Sequence, residues 1–242
     1  FSKKLIDRAK KAGCSALMLT VHLQILGQRN KDIKNGLSIP PKLTIRNVID
    51  LIRHPLWCLN MLQTSRRSFR NIVGHVDGVS DISKLSAWVA DQFDPTLSWE
   101  DVARIRDLWD GKFIIKGIME PEDAAEAMKI DVDAIIVSNH GGRQLDETSS
   151  TISMLPQIVS EVGDKVSVWM DGGIRSGQDV LKAIALGAEN TLLGRSFCYG
   201  IGACGAEGGR KALNILHKEI DMTMALCGHR EIRDVDRTIL KI

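Results

Sequence analysis

Val166-Ser167-Val168-Trp169-Met170-Asp171-Gly172-Gly173-Ile174-Arg175, followed further on by Gly194-Arg195, is the stretch on which the fold turns. A short and nearly continuous apolar run, Val166–Asp171, breaks into a glycine-rich turn. A second run, Thr191–Gly194, ends on Gly-Arg. Short apolar runs without alternation read as parallel strands buried on both faces. Two successive strands ending in glycine turns and arginines are how the last βα loops of a barrel build a phosphate site. Exposed backbone N–H groups and a helix N-terminus favour a dianion there, and Arg175 or Arg195 adds charge. Plain turn glycines are the competing reading. A phosphate-bearing cofactor accounts better for the paired motifs.

Working outward, three earlier runs have the same character: Ala16–Val21, Phe113–Lys116 and Ala134–Ser138. Helical patterns lie before and between the runs, over Ser2–Ala12, from Ser98 as N-cap to Trp109, from Pro121, and over Thr151–Val162, Gly177–Leu186 and Gly205–Leu226. Gly13, Gly163 and Gly187 sit where a positive-φ residue ends a helix. The alternation makes an α/β protein with a parallel sheet. Periodicity alone leaves an open doubly wound sheet and a barrel both standing. No G-x-G-x-x-G follows the first run, so the Rossmann fingerprint is missing.

Ser138-Asn139-His140-Gly141-Gly142-Arg143-Gln144 follows a strand directly, which places His140 at a strand's C-terminal end, where α/β folds put their active sites. An imidazole takes up a proton near neutral pH. Arg143 offers a planar fork to a carboxylate, and the Gly-Gly pair lets backbone approach a flat ligand. Lys116 closes an apolar strand and points into the mouth of a barrel. There it can stabilise negative charge on a reduced cofactor. Taken alone it reads equally well as a snorkelling surface lysine.

The 242 residues suit one large domain or two small ones, and 44% hydrophobic with 26% charged residues excludes a disordered chain. The net charge of +2 is too balanced for nucleic-acid binding by the whole molecule. Gln28–His75 is different, with nine basic residues against two acidic ones, a net of +7 on an otherwise acidic chain. That imbalance suggests an anionic partner, most simply a lipid surface. The same region holds Ile45, Val48, Ile49 and Ile52 at helical spacing, then Pro55, Leu56-Trp57-Cys58-Leu59-Asn60-Met61-Leu62 and Arg66-Arg67-Ser68-Phe69-Arg70. It reads either as a core helix of its own domain or as a basic, apolar segment seated on a bilayer. The longest uncharged run, Ala12–Gln28, has 17 residues, fewer than the roughly 20 a spanning helix needs. Five cysteines without a C-x-x-C argue against a disulfide framework or a zinc site and for a reducing compartment.

These motifs resemble the FMN-dependent L-2-hydroxy-acid dehydrogenases and oxidases, and among them the membrane-associated L-lactate dehydrogenases of bacteria. The resemblance runs through Leu19-Thr20-Val21, Gly27-Gln28-Arg29 with Asp32, Asp94-Pro95-Thr96-Leu97-Ser98-Trp99, Lys116-Gly117, the Ser138–Gln144 heptapeptide with Leu145-Asp146, and Asp171–Arg195. It implies a (β/α)8 TIM barrel of which residues 1–242 carry about the last five βα units, with residues 28–97 inserted after the first strand. Three further strands and a substrate-contacting tyrosine belong ahead of this point in the family pattern, so the chain, opening Phe-Ser-Lys-Lys without Met, is expected to be a piece of the enzyme.

By the same resemblance His140 is the base, while Arg143 and Arg29 hold the substrate carboxylate. Lys116 lies near the flavin N1–C2=O edge, and Thr20 and Ser138 touch the flavin. Asp171, Gly172, Gly173, Arg175, Gly194 and Arg195 hold the ribityl phosphate of FMN, and no metal takes part. The implied reaction oxidises an L-2-hydroxy acid, foremost L-lactate to pyruvate, and passes electrons to a quinone or the respiratory chain. A homo-oligomer held peripherally on the cytoplasmic side of the inner membrane is the implied setting. His22 stands where the family pattern has Asp. A neutral imidazole there can still hydrogen-bond His140 but brings no negative charge, and a protonated one would lower the pKa of His140. Impaired turnover follows, and the alternative is a barrel piece that binds phosphate or membrane without turnover.

Overall fold

The computed structural model describes residues 2–25, 27, 30–36, 44–65, 71–72, 88 and 93–241. The chain divides into two units, one over Gln24–Pro95 and one over Ser2–Leu23 with Thr96–Ile242.

The larger unit holds strands β1 (Ala16–Thr20), β2 (Lys112–Ile118), β3 (Ala134–Val137), β4 (Ser167–Met170) and β5 (Asn190–Thr191). They form one parallel sheet in the order β1-β2-β3-β4-β5. Each strand lies beside its predecessor, the order of a barrel. A doubly wound sheet reverses at a switch point, and none occurs among these five strands, which settles the ambiguity left by periodicity. Helix α1 (Ser2–Lys11) precedes β1. In the smaller unit follow α2 (Asn30–Lys34), α3 (Ile45–Arg53) and α4 (Pro55–Gln63). The larger unit resumes with α5 (Trp99–Asp107), α6 (Pro121–Met128), α7 (Thr151–Val162), α8 (Gly177–Ala185) and α9 (Arg195–Leu226).

Local chemistry sets the helix ends. Ser98 and Ser176 each accept the N3 amide while Asp101 and Asp179 reach back to the cap amide, two complete capping boxes. Pro121 opens α6, and Gly13, Gly163 and Gly187 all have positive φ. Three boundaries differ most from expectation. β2 runs on through Gly117 to Ile118 rather than closing at Lys116. The last strand covers only Asn190–Thr191, two residues rather than Thr191–Gly194. Helix α9 starts at Arg195 rather than Gly205, and is interrupted at Cys204 and Gly205. The glycines before Gly205 read as loop in sequence, yet Gly200 packs backbone to backbone on Gly208, which leaves no room for a Cβ at either.

Strand periodicity sorts the sheet into two faces. On one, Phe113, Ile115, Ile135, Val137, Val168 and Met170 join the helices in the main core. On the other, Ile114, Ala134 and Ile136 pack with Trp169 and Leu192. Further along that second face, at the C-terminal ends of the strands, come Lys116, Ser138 and Asp171.

In the smaller unit Thr44 caps α3 by accepting the Asn47 amide, and Pro55 starts α4 after the break at His54. Neither helix has a buried residue among those described, and Ile45, Ile52 and Leu56 are 84%, 73% and 76% exposed. The apolar stripe of α3 is therefore not the buried stripe of a core helix. The basic run Arg66–Arg70 lies outside the described residues.

Candidate active site

The loop after β3 carries its own backbone signature. His140, Gly141 and Gly142 have φ of 58°, 66° and 70°, three consecutive residues at positive φ. Glycine accepts this freely; a histidine there costs about 1–3 kcal/mol. Asn139 pins the turn, its Oδ1 and backbone carbonyl both accepting from the Gly142 amide. Arg195 reaches across from the start of α9 and donates to the Gly141 carbonyl at 2.9 Å.

Beneath this loop lies a polar row on the inner face of the sheet. Lys116 Nζ donates to Ser138 Oγ at 2.6 Å and lies 2.5 Å from Asp171 Oδ2. The two charged side chains are only 14% and 18% exposed. Ser138, fully buried, also accepts the His140 amide at 3.3 Å. Lys116, two residues before the end of β2, is thus no snorkelling surface residue. Thr20 ends β1 in register with Lys116.

His22, two residues beyond Thr20, sets its Nε2 3.0 Å from His140 Nδ1, with the rings edge to face. Burial, the Lys116 ammonium and His140 lower the His22 pKa to about 4 against the opposing pull of Asp171, so the ring is neutral at pH 7. His22 Nδ1 and Asp171 Oδ1 are buried without a hydrogen-bond partner among the described residues.

A cavity of about 480 Å³ opens beside the loop, among the turns after β3, β4 and β5. Gly172, Gly173, Arg175, Lys182 and Arg195 line it, with Asp179 as the one carboxylate among the described residues. A Cβ at Gly173 or Gly194 would meet nothing within 4 Å, so both turns leave open room for a ligand. Three cations around such a cradle fit a phosphate group. One expectation needs correcting. The amides of Arg175 and Ser176 donate to Asp179, and that of Gly177 to Glu219, so carboxylates of the chain already satisfy the start of α8. The cations and the glycine turns remain as the features of this rim suited to an anion.

Of the residues singled out in the sequence, His140, Lys116, Ser138 and Asp171 form one connected cluster, and Gly172, Gly173, Arg175 and Arg195 line one cavity. Gly194 is not among the residues lining that cavity; it is the N-cap of α9, next to the lining Arg195. Arg143 is exposed at the end of the loop, and Arg29 lies outside the described residues. Lys182 escaped the sequence reading; its only signal is its place on α8, near the cavity-lining Asp179. No group of three His, Cys, Asp or Glu residues able to hold a metal occurs among the described residues.

Comparison with known proteins identifies the family. The family model described as FMN-dependent dehydrogenase matches residues 1–242. The L-lactate dehydrogenase of Vibrio parahaemolyticus is 40% identical over 241 residues, and that of Actinobacillus pleuropneumoniae 39% over the same length. In each case 99% of this chain and 63% of the relative are covered, so the chain spans under two thirds of the length of these relatives. A crystal structure of the monotopic membrane protein (S)-mandelate dehydrogenase superposes with a TM-score of 0.92 at 34% identity, over 99% of this chain and 63% of that one. The chain belongs to the FMN-dependent dehydrogenase family, and its sheet is part of a (β/α)8 barrel.

Proposed function

We propose that this member of the FMN-dependent dehydrogenase family carries the flavin-binding and proton-transfer half of an L-2-hydroxy-acid oxidoreductase, with L-lactate as the favoured substrate. The observation that carries the reading is the connected row of Lys116, Ser138, Asp171 and His140 beside the cation-lined cavity. The lactate preference rests on the curated relatives. The structural neighbour is a mandelate dehydrogenase, so the aryl acid is the competing substrate.

FMN, when bound, supplies the two-electron acceptor. Arg175, Gly172, Gly173, Gly194 and Arg195 hold its phosphate, with Lys182 as an additional cation. Asp171 anchors Lys116, whose ammonium faces the site and favours negative charge developing there. Thr20 and Ser138 supply hydroxyls at the strand ends. Arg143 binds the substrate carboxylate, with Arg29 as its second arginine, and His140 takes the proton released from the α-hydroxyl or α-carbon.

Electron transfer to a quinone or the respiratory chain belongs to the same proposal, as do a homo-oligomer and peripheral membrane contact on the cytoplasmic side. Membrane contact is supported by the exposed apolar residues of α3 and α4, the basic excess around them and the monotopic neighbour. No helix among the described residues is long and apolar enough to cross a membrane.

The experiment is anaerobic mixing of the FMN-loaded protein with L-lactate, glycolate and (S)-mandelate, followed by flavin absorbance. Bleaching fastest with L-lactate is expected. Bound flavin that no 2-hydroxy acid bleaches would replace this reading with cofactor binding without turnover.

A further inference from the structure

We infer that His22 fixes His140 in the tautomer protonated on Nε2, so that the loop imidazole presents a hydrogen-bond donor from its second nitrogen instead of a free base. The inference rests on reading His140 as the proton acceptor, and it assigns His22 as the positioning residue that limits it.

The contact between the rings is Nε2 of His22 to Nδ1 of His140 at 3.0 Å. One proton lies between these nitrogens, because two would collide and none would leave two lone pairs opposed. In the neutral pair either ring can be the donor, and each choice fixes both tautomers. If His22 donates, its Nδ1 is bare and the proton of His140 sits on Nε2. If His140 donates, its Nε2 is the unprotonated nitrogen that acts as a base and His22 carries a proton on Nδ1.

The surroundings of His22 Nδ1 decide between them. That atom is buried and has no hydrogen-bond partner among the described residues. It faces Gly117, whose φ is 117°. A Cβ on Gly117 would fall within contact distance of Nδ1 and 2.9 Å from both Cβ and Cγ of His22. In glycine a Cα hydrogen takes that direction and points at the imidazole nitrogen. A lone pair accepts such a C–H contact, whereas an N–H would meet it hydrogen to hydrogen. A buried N–H without an acceptor is also rarer and more costly than an under-used lone pair. Nδ1 of His22 is therefore bare, and Nε2–H donates to His140.

The charged and titratable groups facing His22 leave this pairing in place. Lys116 and His140 repel a second proton, and Asp171 attracts one. The Asp171 carboxylate, however, is paired with Lys116 through Oδ2, and its Oδ1 makes no hydrogen bond to His22 Nδ1. With burial added, His22 stays neutral through the neutral pH range.

The consequence is specific. Proton uptake at His140 Nε2 draws on the minor tautomer pair, and the rate falls with its population. A carboxylate at position 22 only accepts, so it would require Nδ1–H on His140 and release Nε2 as the base.

The test is long-range ¹H–¹⁵N correlation spectroscopy on the histidine-labelled chain at pH 7, with single variants His22→Gln and His140→Gln for assignment. Both His22 and His140 are expected as Nε2–H tautomers, and His22→Asp is expected to move the His140 proton to Nδ1. An Nδ1–H tautomer of His140 in the unaltered chain would overturn the inference, whatever the behaviour of the variants. In the FMN-loaded protein, His22→Asp is expected to speed flavin reduction by about tenfold or more, a part of the 10²–10⁴ that general-base catalysis typically contributes. If the tautomer is as stated and switches with His22→Asp while the reduction rate does not move, the tautomer assignment stands. The reading of His140 as the base then fails.

Discussion

Neighbouring residues of the same strands do opposite work on the two faces of the sheet. On β2, Ile115 is fully buried against the helices, while Lys116 ends the inner face in an ion pair with Asp171. On β3, Ile135 and Val137 are closed into the core, and Ser138 one step later receives the Lys116 ammonium. Alternation at period two lets a parallel barrel hold itself together on its outer face and carry chemistry at the C-terminal ends of its inner one. Changes to the two faces should therefore be separable by measurement.

The largest stability effect belongs to the outer face. Ile135→Ala removes a side chain with no exposure and should cost about 2–5 kcal/mol in urea unfolding. A cost below 1 kcal/mol would mean that the outer face does not hold the sheet. On the cavity side, Arg175→Ala with Arg195→Ala should hardly change unfolding, because both side chains are exposed. FMN affinity should fall by at least tenfold per residue, the value of a charge-assisted hydrogen bond to phosphate of about 1.5–3 kcal/mol. Equal losses of stability and affinity would erase the distinction between the faces.

A smaller effect follows from His22. Its pKa falls from 6.5 to about 4 on folding, so the unfolded chain binds more protons between those values. This contribution to stability is fully present above about pH 6.5 and is lost as pH falls toward 4. Allowing for solvent screening of a partly buried ring, the loss is about 1–2 kcal/mol. Unfolding midpoints from pH 7.5 to 4 should show it, and His22→Gln should remove that component of the slope. An unchanged slope in the variant would show that His22 is not held neutral by the site. The smallest effect is expected in the other unit. Ile45→Ser with Ile52→Ser should alter stability by no more than about 0.5 kcal/mol, since both residues are exposed. Binding to anionic vesicles should weaken measurably. Unchanged vesicle binding would remove these two residues from the membrane contact.

Much of the barrel was legible because its signals are local. Continuous apolar runs marked the strands, and the serine of a capping box or a positive-φ glycine marked helix ends; α7 occupies the expected Thr151–Val162. What escaped was long-range. Glycines that look like breaks around Gly200 serve close packing against Gly208, a use that composition does not reveal. Lys182 enters the cavity only because α8 turns it there. The Lys116–Asp171 pair and the Arg195–Gly141 tie join residues 55 and 54 positions apart and could be read only as separate motif members. The His22–His140 contact was foreseeable from two motifs, but its proton direction depends on Gly117, which the sequence marks only as the residue after a strand-end lysine.

Fluorescence titration of the chain with FMN and with riboflavin, side by side, is the decisive measurement. The two ligands share the isoalloxazine ring and differ by the phosphate. A cation-lined cradle beside the Lys116–Asp171 row predicts that FMN binds at least tenfold more tightly, and that Arg195→Ala brings the two affinities together. Equal affinity for FMN and riboflavin in the unaltered chain, or binding of neither, would contradict the assignment of this rim as the flavin site.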